Sequence, residues 1–426
     1  MRPAADRASG PYHGWIMVGA LSVTETISYG ILAYAFTVFI APMQAELGWS
    51  VAAITGAYSL GLLTAGIAAV PVGRWLDEHG ARLPMSAGSL LAGLMLFAWS
   101  GVDSLWAFYL LWAGLGFAMA AVLYEPAFAV LAAWFRRDLG KSLTVLTFLA
   151  GFASVIFIPL AGFLVEGYGW RSALRVLAVI QLTTFPLHAL LLRRRPADLG
   201  LAPDGAAATV VGDSRADHGV SSGEAFARPD FRRLAVAFSL STFVITAIGV
   251  HLVPLLVAAG STVTAAAGIG GAIGLMALPG RIVLTPLGDV WPRRFVATGI
   301  FALQAIGLLA LFAAAGTTAA VSAAALWAFV FLYGAGFGAI TPARAALLAE
   351  YYGGAHFGRI SGRMALINAL ARAVAPVSTG LLVTASGGDY RLLLVLLSLA
   401  VALAAIAVGI ARPPAIAAGR SARLRG

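Results

Sequence analysis

The chain has 426 residues, of which 60% are hydrophobic and only 11% are charged, where ordinary soluble domains carry about 25% charged residues. That composition excludes a soluble globular domain, and apolar runs of about 20 residues or more exclude a β-barrel, whose strands alternate over roughly 10. The net charge of +10 does not point to nucleic acid, because the basic residues sit in short loops between apolar runs, and the absence of cysteine excludes disulfides and thiolate metal sites.

The first apolar run, from about His13 to Ile40, is too long for a cleaved signal peptide and is expected to be retained. In chain order, twelve helical spans are predicted at about 14–41, 50–73, 83–102, 105–133, 140–164, 172–192, 233–258, 264–288, 295–315, 320–347, 359–385 and 390–411. The polar segment 193–232, rich in Ala, Gly, Asp and Arg, is read as a cytoplasmic linker, mostly disordered. It divides an N-terminal six-helix bundle (1–192) from a C-terminal one (233–426) with a short cytoplasmic tail. Twelve spans place both termini on one face. Of the 28 Lys and Arg, 22 then fall on that face, two (Arg171 and Arg391) on the other, and four (Arg175, Arg281, Arg344 and Arg372) within spans. The asymmetry orients the chain with both termini cytoplasmic, and the expected location is a bacterial inner membrane that the spans cross.

The halves repeat each other. YEPAFAVLAAWF, GKSLTVL, IPLAG and GYGWR (124–171) correspond to TPARAALLAEYY, GRISGRM, APVSTG and GDYR (341–391), so that Pro126 matches Pro342 and Pro159 matches Pro376. VPVGRWLDEHGAR (70–82) likewise corresponds to TPLGDVWPRR (285–294). A duplicated set of six spans is the signature of a two-bundle carrier with its site at the repeat interface.

GRWLDEHGAR (73–82) resembles the loop signature of the major facilitator superfamily, with Gly73, Asp77, Gly80 and Arg82 matching and Glu78 and Ala81 departing from it. YHGWIMV (12–18) and WFRRDLGKSLTVLTFLAGFAS (134–154) are similar to the first- and fifth-span signatures of the monocarboxylate transporters and the oxalate:formate antiporter group. The resemblance implies an all-α fold of two pseudo-symmetric six-helix bundles and alternating-access transport of a small organic anion. In that group an Arg of the eighth span binds the substrate carboxylate, and Arg281 occupies the matching place. Some of its members carry an Asp one turn earlier, where this chain has Ala277, so that proton-handling pair is missing.

Arg281 lies eight residues before Asp289, about 12 Å along a helix and so near the middle of a roughly 30 Å core. Arg372 is similarly deep, thirteen residues past Arg359. Their repeat partners are Gly66 and about Val155, so neither charge belongs to the shared scaffold. Two acids, Glu25 and Glu125, sit at mid-depth in the other half. Charges at this depth are either substrate and ion contacts or paired packing bridges; the two arginines are read as the former, while Glu125, beside Pro126, fits either. Arg175, Arg344 and Arg363 lie nearer helix ends and are read as structural or gating residues. Tyr34, Tyr124, Tyr333 and Asn368 are further substrate-contact candidates, with Tyr29 beside them. His251, either a packing residue or a proton carrier, is grouped for coupling or gating with Glu25, Glu125, Asp77, Arg82 and Asp289. Gly-rich GAGFGAI (334–340) lacks the lysine and strand of a phosphate loop and is assigned to helix packing.

The expected function is secondary transport of mono- or dicarboxylates, by proton symport or anion exchange, without cofactor, metal or enzymatic activity, as a monomer in the bilayer. A proton-driven efflux antiporter is the alternative. Its Gly-Pro span-five ending is replaced here by Ile158-Pro159. A ligand sensor would carry a signalling extension, and neither tail resembles one.

Overall fold

The computed structural model describes residues 12–135, 137–205, 222–284, 286–314, 319–352 and 357–412. Every regular element among them is helical. Eleven helical stretches are long and apolar enough to cross a membrane, and the chain is a multi-pass membrane protein.

In chain order α1 (His13–Tyr29) runs through a π turn at Gly30–Tyr34 into α2 (Phe36–Leu47). There follow α3 (Val51–His79), α4 (Arg82–Trp99), α5 (Leu105–Val122), α6 (Tyr124–Trp134), α7 (Leu139–Ala150), α8 (Ala153–Leu182) and α9 (Thr184–Leu191). A short α10 (Ser222–Ala227) precedes α11 (Pro229–Ala258), α12 (Val263–Leu284), α13 (Leu287–Val290), α14 (Arg293–Ala314), α15 (Ala319–Tyr352), α16 (Phe357–Ala385) and α17 (Arg391–Gly409). The apolar stretch Lys141–Leu191 has 51 residues, about 76 Å if straight. It is not straight: Gly169, at φ 79°, interrupts α8 with a backbone conformation that favours glycine.

The chain packs as two compact units, Met1–Phe36 with Thr64–Gly212, and Thr37–Leu63 with Asp213–Gly426. In the first, α4 lies against α5 and α8, and α1 against α7 and α9, around Met17, Leu21, Met85, Leu131, Trp134 and Leu146. In the second, α14 lies between α15 and α17, α12 against α15, and α11 against α16. The second unit also takes in the segment from α2 into α3, which a division at residue 193 assigns to the first. Its hydrogen bonds show why. Thr37 donates to the Val250 carbonyl (2.8 Å), the Val377 N–H donates to Ser59 (3.0 Å), and the Ala52 N–H donates to Thr384 (3.3 Å).

Prolines decide where these helices stay whole. Proline has no N–H, and its ring meets the carbonyl four residues earlier. Pro126 would meet Val122, and there α5 stops; Leu123 is extended (φ −90°, ψ −167°) before α6 begins. Its repeat partner Pro342 sits inside an unbroken α15, which leaves the Gly338 carbonyl without a helical donor. Pro254 in α11 does the same to the Val250 carbonyl, which is the acceptor that Thr37 fills.

The segment read as a mostly disordered linker is ordered where it is described, at 193–205 and from 222 onward. Asp204 accords with the helix dipole at the start of α7, its carboxylate accepting the N–H groups of Arg137 (2.9 Å) and Asp138 (3.1 Å). The Tyr12 hydroxyl shares its one proton between the carbonyls of Trp134 (2.9 Å) and Ala202 (3.2 Å). Burial, and then the nearby Asp204 charge, hold that phenol above its ordinary pKa, so it remains a donor. Asp204→Ala removes the cap, and a loss of about 1 kcal/mol is expected, read as a lower unfolding midpoint in detergent. An unchanged midpoint rejects the capping role.

Candidate functional site

The second unit holds Arg281 and Arg372, and Arg281 lies in the last turn of α12, three residues before its end at Leu284, rather than at mid-helix as expected. Arg281 is half-buried on α12, and its Nε donates to the Gly338 carbonyl at 3.2 Å. This is the carbonyl that Pro342 deprives of a helical partner. The contact requires α12 and α15 to lie very close. A Cβ added at Gly338 would meet the Ala277 carbonyl oxygen at 1.8 Å, and one at Gly280 would meet that of Ala335 at 2.2 Å. Glycines therefore let the backbones touch, as GAGFGAI was expected to do. A helical side chain leans toward its own N-terminus, so Arg281 reaches over the Ala277 turn to the Gly338 carbonyl. No carboxylate pairs with Arg281 among the described residues.

Arg372, on α16, is exposed. Leu366, Leu370 and Val374 form an exposed apolar stripe at four-residue spacing. Arg372 stands two residues from the latter pair, on the opposite side of the helix. It acts electrostatically on half-buried Arg344. Three cations, Arg281, Arg344 and Arg372, thus belong to one unit, with no acid paired to them among the described residues.

Other candidates of that unit are placed differently. Tyr333 was expected to contact substrate. It is instead 2% exposed in the α14–α15 seam, its backbone against Gly307 and its hydroxyl without a hydrogen bond. A nearly all-apolar helix buries any of its faces, and here the tyrosine turned toward α14. Asn368 is also buried; its Oδ1 accepts from Ser239 of α11 at 3.2 Å, and its Nδ2 has no partner. His251 is 1% exposed and joins α11 to α16 through Thr379 at 2.8 Å. Thr379 donates to the Ala375 carbonyl (2.6 Å), so His251 Nε2–H is the donor of that link. It is a packing bond, and the histidine does not meet the arginines. The side chains of Asp77 and Asp289 lie outside the described residues; Arg82 is exposed and donates to the Ala189 carbonyl at 2.6 Å.

The first unit holds the acids. Glu25 is 0% exposed with neither carboxylate oxygen hydrogen-bonded, and Glu125 is the charged group that acts on it. Glu125 itself is exposed, in the first turn of α6 just after the break. Tyr124 and Tyr34 come together through Tyr29, with ring centroids 4.5 Å and 6.2 Å from it. Two helix irregularities of this unit, the π turn and the Leu123 break, lie beside these rings; such irregularities cluster at functional sites. The two signature stretches also meet, Tyr12 and His13 lying against Trp134, and Trp15 against Phe135.

Sequence reasoning passed over His188. It is fully buried, bonded to Ser89 (2.8 Å), to Thr24 (2.9 Å) and to the Met85 carbonyl (3.2 Å). The signal was faint: one histidine in an apolar run, with partners far away in sequence.

A profile of the Major Facilitator Superfamily matches residues 23–376. The chain is 30% identical to monocarboxylate transporter 13 of Rattus norvegicus over 349 residues, 80% of this chain and 75% of that protein. In structure it is similar to a bacterial homolog of the human lysosomal transporter Spinster, in an inward-facing and unoccupied conformation (TM-score 0.72, 16% identity, 97% of this chain and 96% of that one). It is also similar to a D-xylose–proton symporter (TM-score 0.72, 15% identity, 94% and 98%).

Proposed function

This chain belongs to the major facilitator superfamily and resembles its monocarboxylate transporter branch, and from that premise we propose that it is a secondary active carrier of small organic anions, mono- or dicarboxylates. Its spans number twelve, with both termini cytoplasmic in a bacterial inner membrane, and it works as a monomer by alternating access. The observation that carries the reading is Arg281. Its Nε is held by a backbone carbonyl, which leaves the two terminal nitrogens as a fork for a carboxylate. A cation within a span and without an acidic partner fits a substrate or ion path. Arg372, turned away from the apolar stripe, supplies a second positive site suited to a dicarboxylate. Glu25 and Glu125 provide the carboxyl groups for proton symport; exchange of two anions uses the same arginines.

Uptake and counterflow into proteoliposomes, with lactate and succinate as probes and with or without a pH gradient, test this. Saturable movement of either anion is expected. A drug-dependent proton flux with no carboxylate response overturns the reading in favour of an efflux antiporter. Arg372→Gln should reduce succinate uptake about tenfold more than lactate uptake; equal losses for both anions reject a second carboxylate site.

A further inference from the structure

We propose that Ser89, His188 and Thr24 form a proton relay that exchanges protons between one end of the first unit and Glu25. The inference rests on the proton-coupled form of the function above and names the path that such coupling uses.

The relay crosses three helices. Ser89 lies on α4, His188 on α9 and Thr24 on α1, and all three are 0% exposed. The imidazole nitrogens are spanned on both sides, Nδ1 by Ser89 (2.8 Å) and the Met85 carbonyl (3.2 Å), Nε2 by Thr24 (2.9 Å). Each protonation state of the ring has partners. With the proton on Nε2, the ring donates to Thr24, whose hydroxyl donates to the Leu21 carbonyl (3.2 Å), and Ser89 donates to Nδ1. With the proton on Nδ1, the ring donates to the Met85 carbonyl and Thr24 donates to Nε2. With both nitrogens protonated, Met85 and Thr24 accept. A purely structural histidine needs only one of these arrangements. A shuttle needs all of them, because it changes tautomer on each passage.

Its position joins a polar end to a buried acid. Met85 and Ser89 lie about 5 and 10 Å along α4 from Arg82. At that end Arg82 bonds the Ala189 carbonyl (2.6 Å) and His13 bonds the Leu191 carbonyl (3.0 Å), within a turn of His188. Thr24 precedes Glu25 on α1, but neighbouring side chains on a helix diverge and the Glu25 oxygens have no protein donor, so a water must bridge the two. In the inward direction Ser89 gives a proton to Nδ1 and is reprotonated by a water that enters from the Arg82 end when the carrier opens, Ser89 being fully buried in this structure. The Nε2 proton passes to Thr24, and the Thr24 hydroxyl proton passes through one water to the Glu25 carboxylate. One proton enters and one is delivered. The titratable groups on the helices packed against α9 are His13, Glu25 and Tyr29 on α1, Arg82 on α4, and Glu166, Tyr168, Arg171 and Arg175 on α8. Arg171 is engaged by Asp103 and Arg175 by Ser100, and Glu125 reaches Glu25 from α6.

The test uses the full-length protein in proteoliposomes, with lactate and succinate as probes and a trapped pH dye. Loaded exchange needs no proton release, whereas net uptake does. His188→Gln and Thr24→Val should therefore lower gradient-driven uptake and substrate-dependent proton flux by about tenfold or more, with counterflow nearly unchanged. Thr24→Ser, which restores the hydroxyl, should recover both. Parental flux in both variants overturns the relay and leaves coupling standing. A parent protein that moves the anions with no proton flux overturns the coupling reading and the relay with it. If His188→Gln loses counterflow too, the Thr24 pair decides: proton-driven uptake retained in Thr24→Val overturns the relay, and its loss there with recovery in Thr24→Ser supports it.

Discussion

Arg281→Lys is expected to remove most carboxylate uptake while the carrier still folds and inserts. Lysine keeps the positive charge and one donor for the Gly338 carbonyl that Pro342 leaves free. It cannot bond that carbonyl and also present a planar pair of N–H groups to a carboxylate. The loss is thus confined to the fork. A charge-assisted hydrogen bond contributes about 1.5–3 kcal/mol, so one lost bond corresponds to roughly a ten- to hundredfold weaker substrate interaction. Uptake and probe binding should fall by at least that factor, with elution profile and unfolding midpoint near those of the parent. Parental transport in Arg281→Lys rejects the assignment. Transport and midpoint falling together would give Arg281 to helix packing, as the cap of a broken hydrogen-bond ladder.

Why this arginine was legible in the sequence, and several neighbours were not, follows from what periodicity encodes. A lone guanidinium amid apolar residues stands out by cost, and the repeat comparison with Gly66 removed it from the common scaffold. The break before Pro126 was not read: 105–133 was predicted as one span, whereas α5 ends at Val122 and α6 starts at Tyr124. The facing of Tyr333 was not legible either. α15 is apolar on every side, so the hydrophobic pattern carries no contrast to say which face meets α14 and which meets α12. His188 was hidden by distance: its partners Ser89 and Thr24 are 99 and 164 residues away, and no local pattern marks them. The membership of 37–63 in the second unit was hidden for the same reason, since it depends on single hydrogen bonds such as Thr37 to Val250. The placement of 193–205 depends on long-range hydrogen bonds, Asp204 to the start of α7, Tyr12 to Ala202 and Trp134 to Arg193. Composition alone reads such a stretch as linker.

The charges also divide by unit, with the unpartnered deep acid Glu25 in the first and the cations Arg281, Arg344 and Arg372 in the second. A structural network would pair each charge with its opposite nearby, because a buried ion without a partner costs several kcal/mol. Segregation by sign favours groups that meet their partners through a mobile third component, an anion for the arginines and a proton for the acid.

The second large effect is expected from the smallest possible substitution, Gly338→Ala. In an exposed helix interior this change stabilises by up to about 1 kcal/mol. Here the added methyl would lie 1.8 Å from the Ala277 carbonyl oxygen, a backbone atom that no rotamer change can move. Overpacking of this kind costs about 1–3 kcal/mol, so the steric term outweighs the helical gain and α12 must part from α15. That displacement also carries the Gly338 carbonyl away from Arg281 Nε, now at 3.2 Å, and frees the guanidinium from its orientation. Both the unfolding midpoint and carboxylate uptake should therefore drop, and Gly280→Ala, 2.2 Å from the Ala335 carbonyl oxygen, should behave alike. Gly268→Ala, on the same α12 with nothing within 4 Å of the added atom, should hold or raise the midpoint. If Gly338→Ala melts with Gly268→Ala and transports normally, then the α12–α15 contact is not what sets the arginine, and a looser seam must hold it in place.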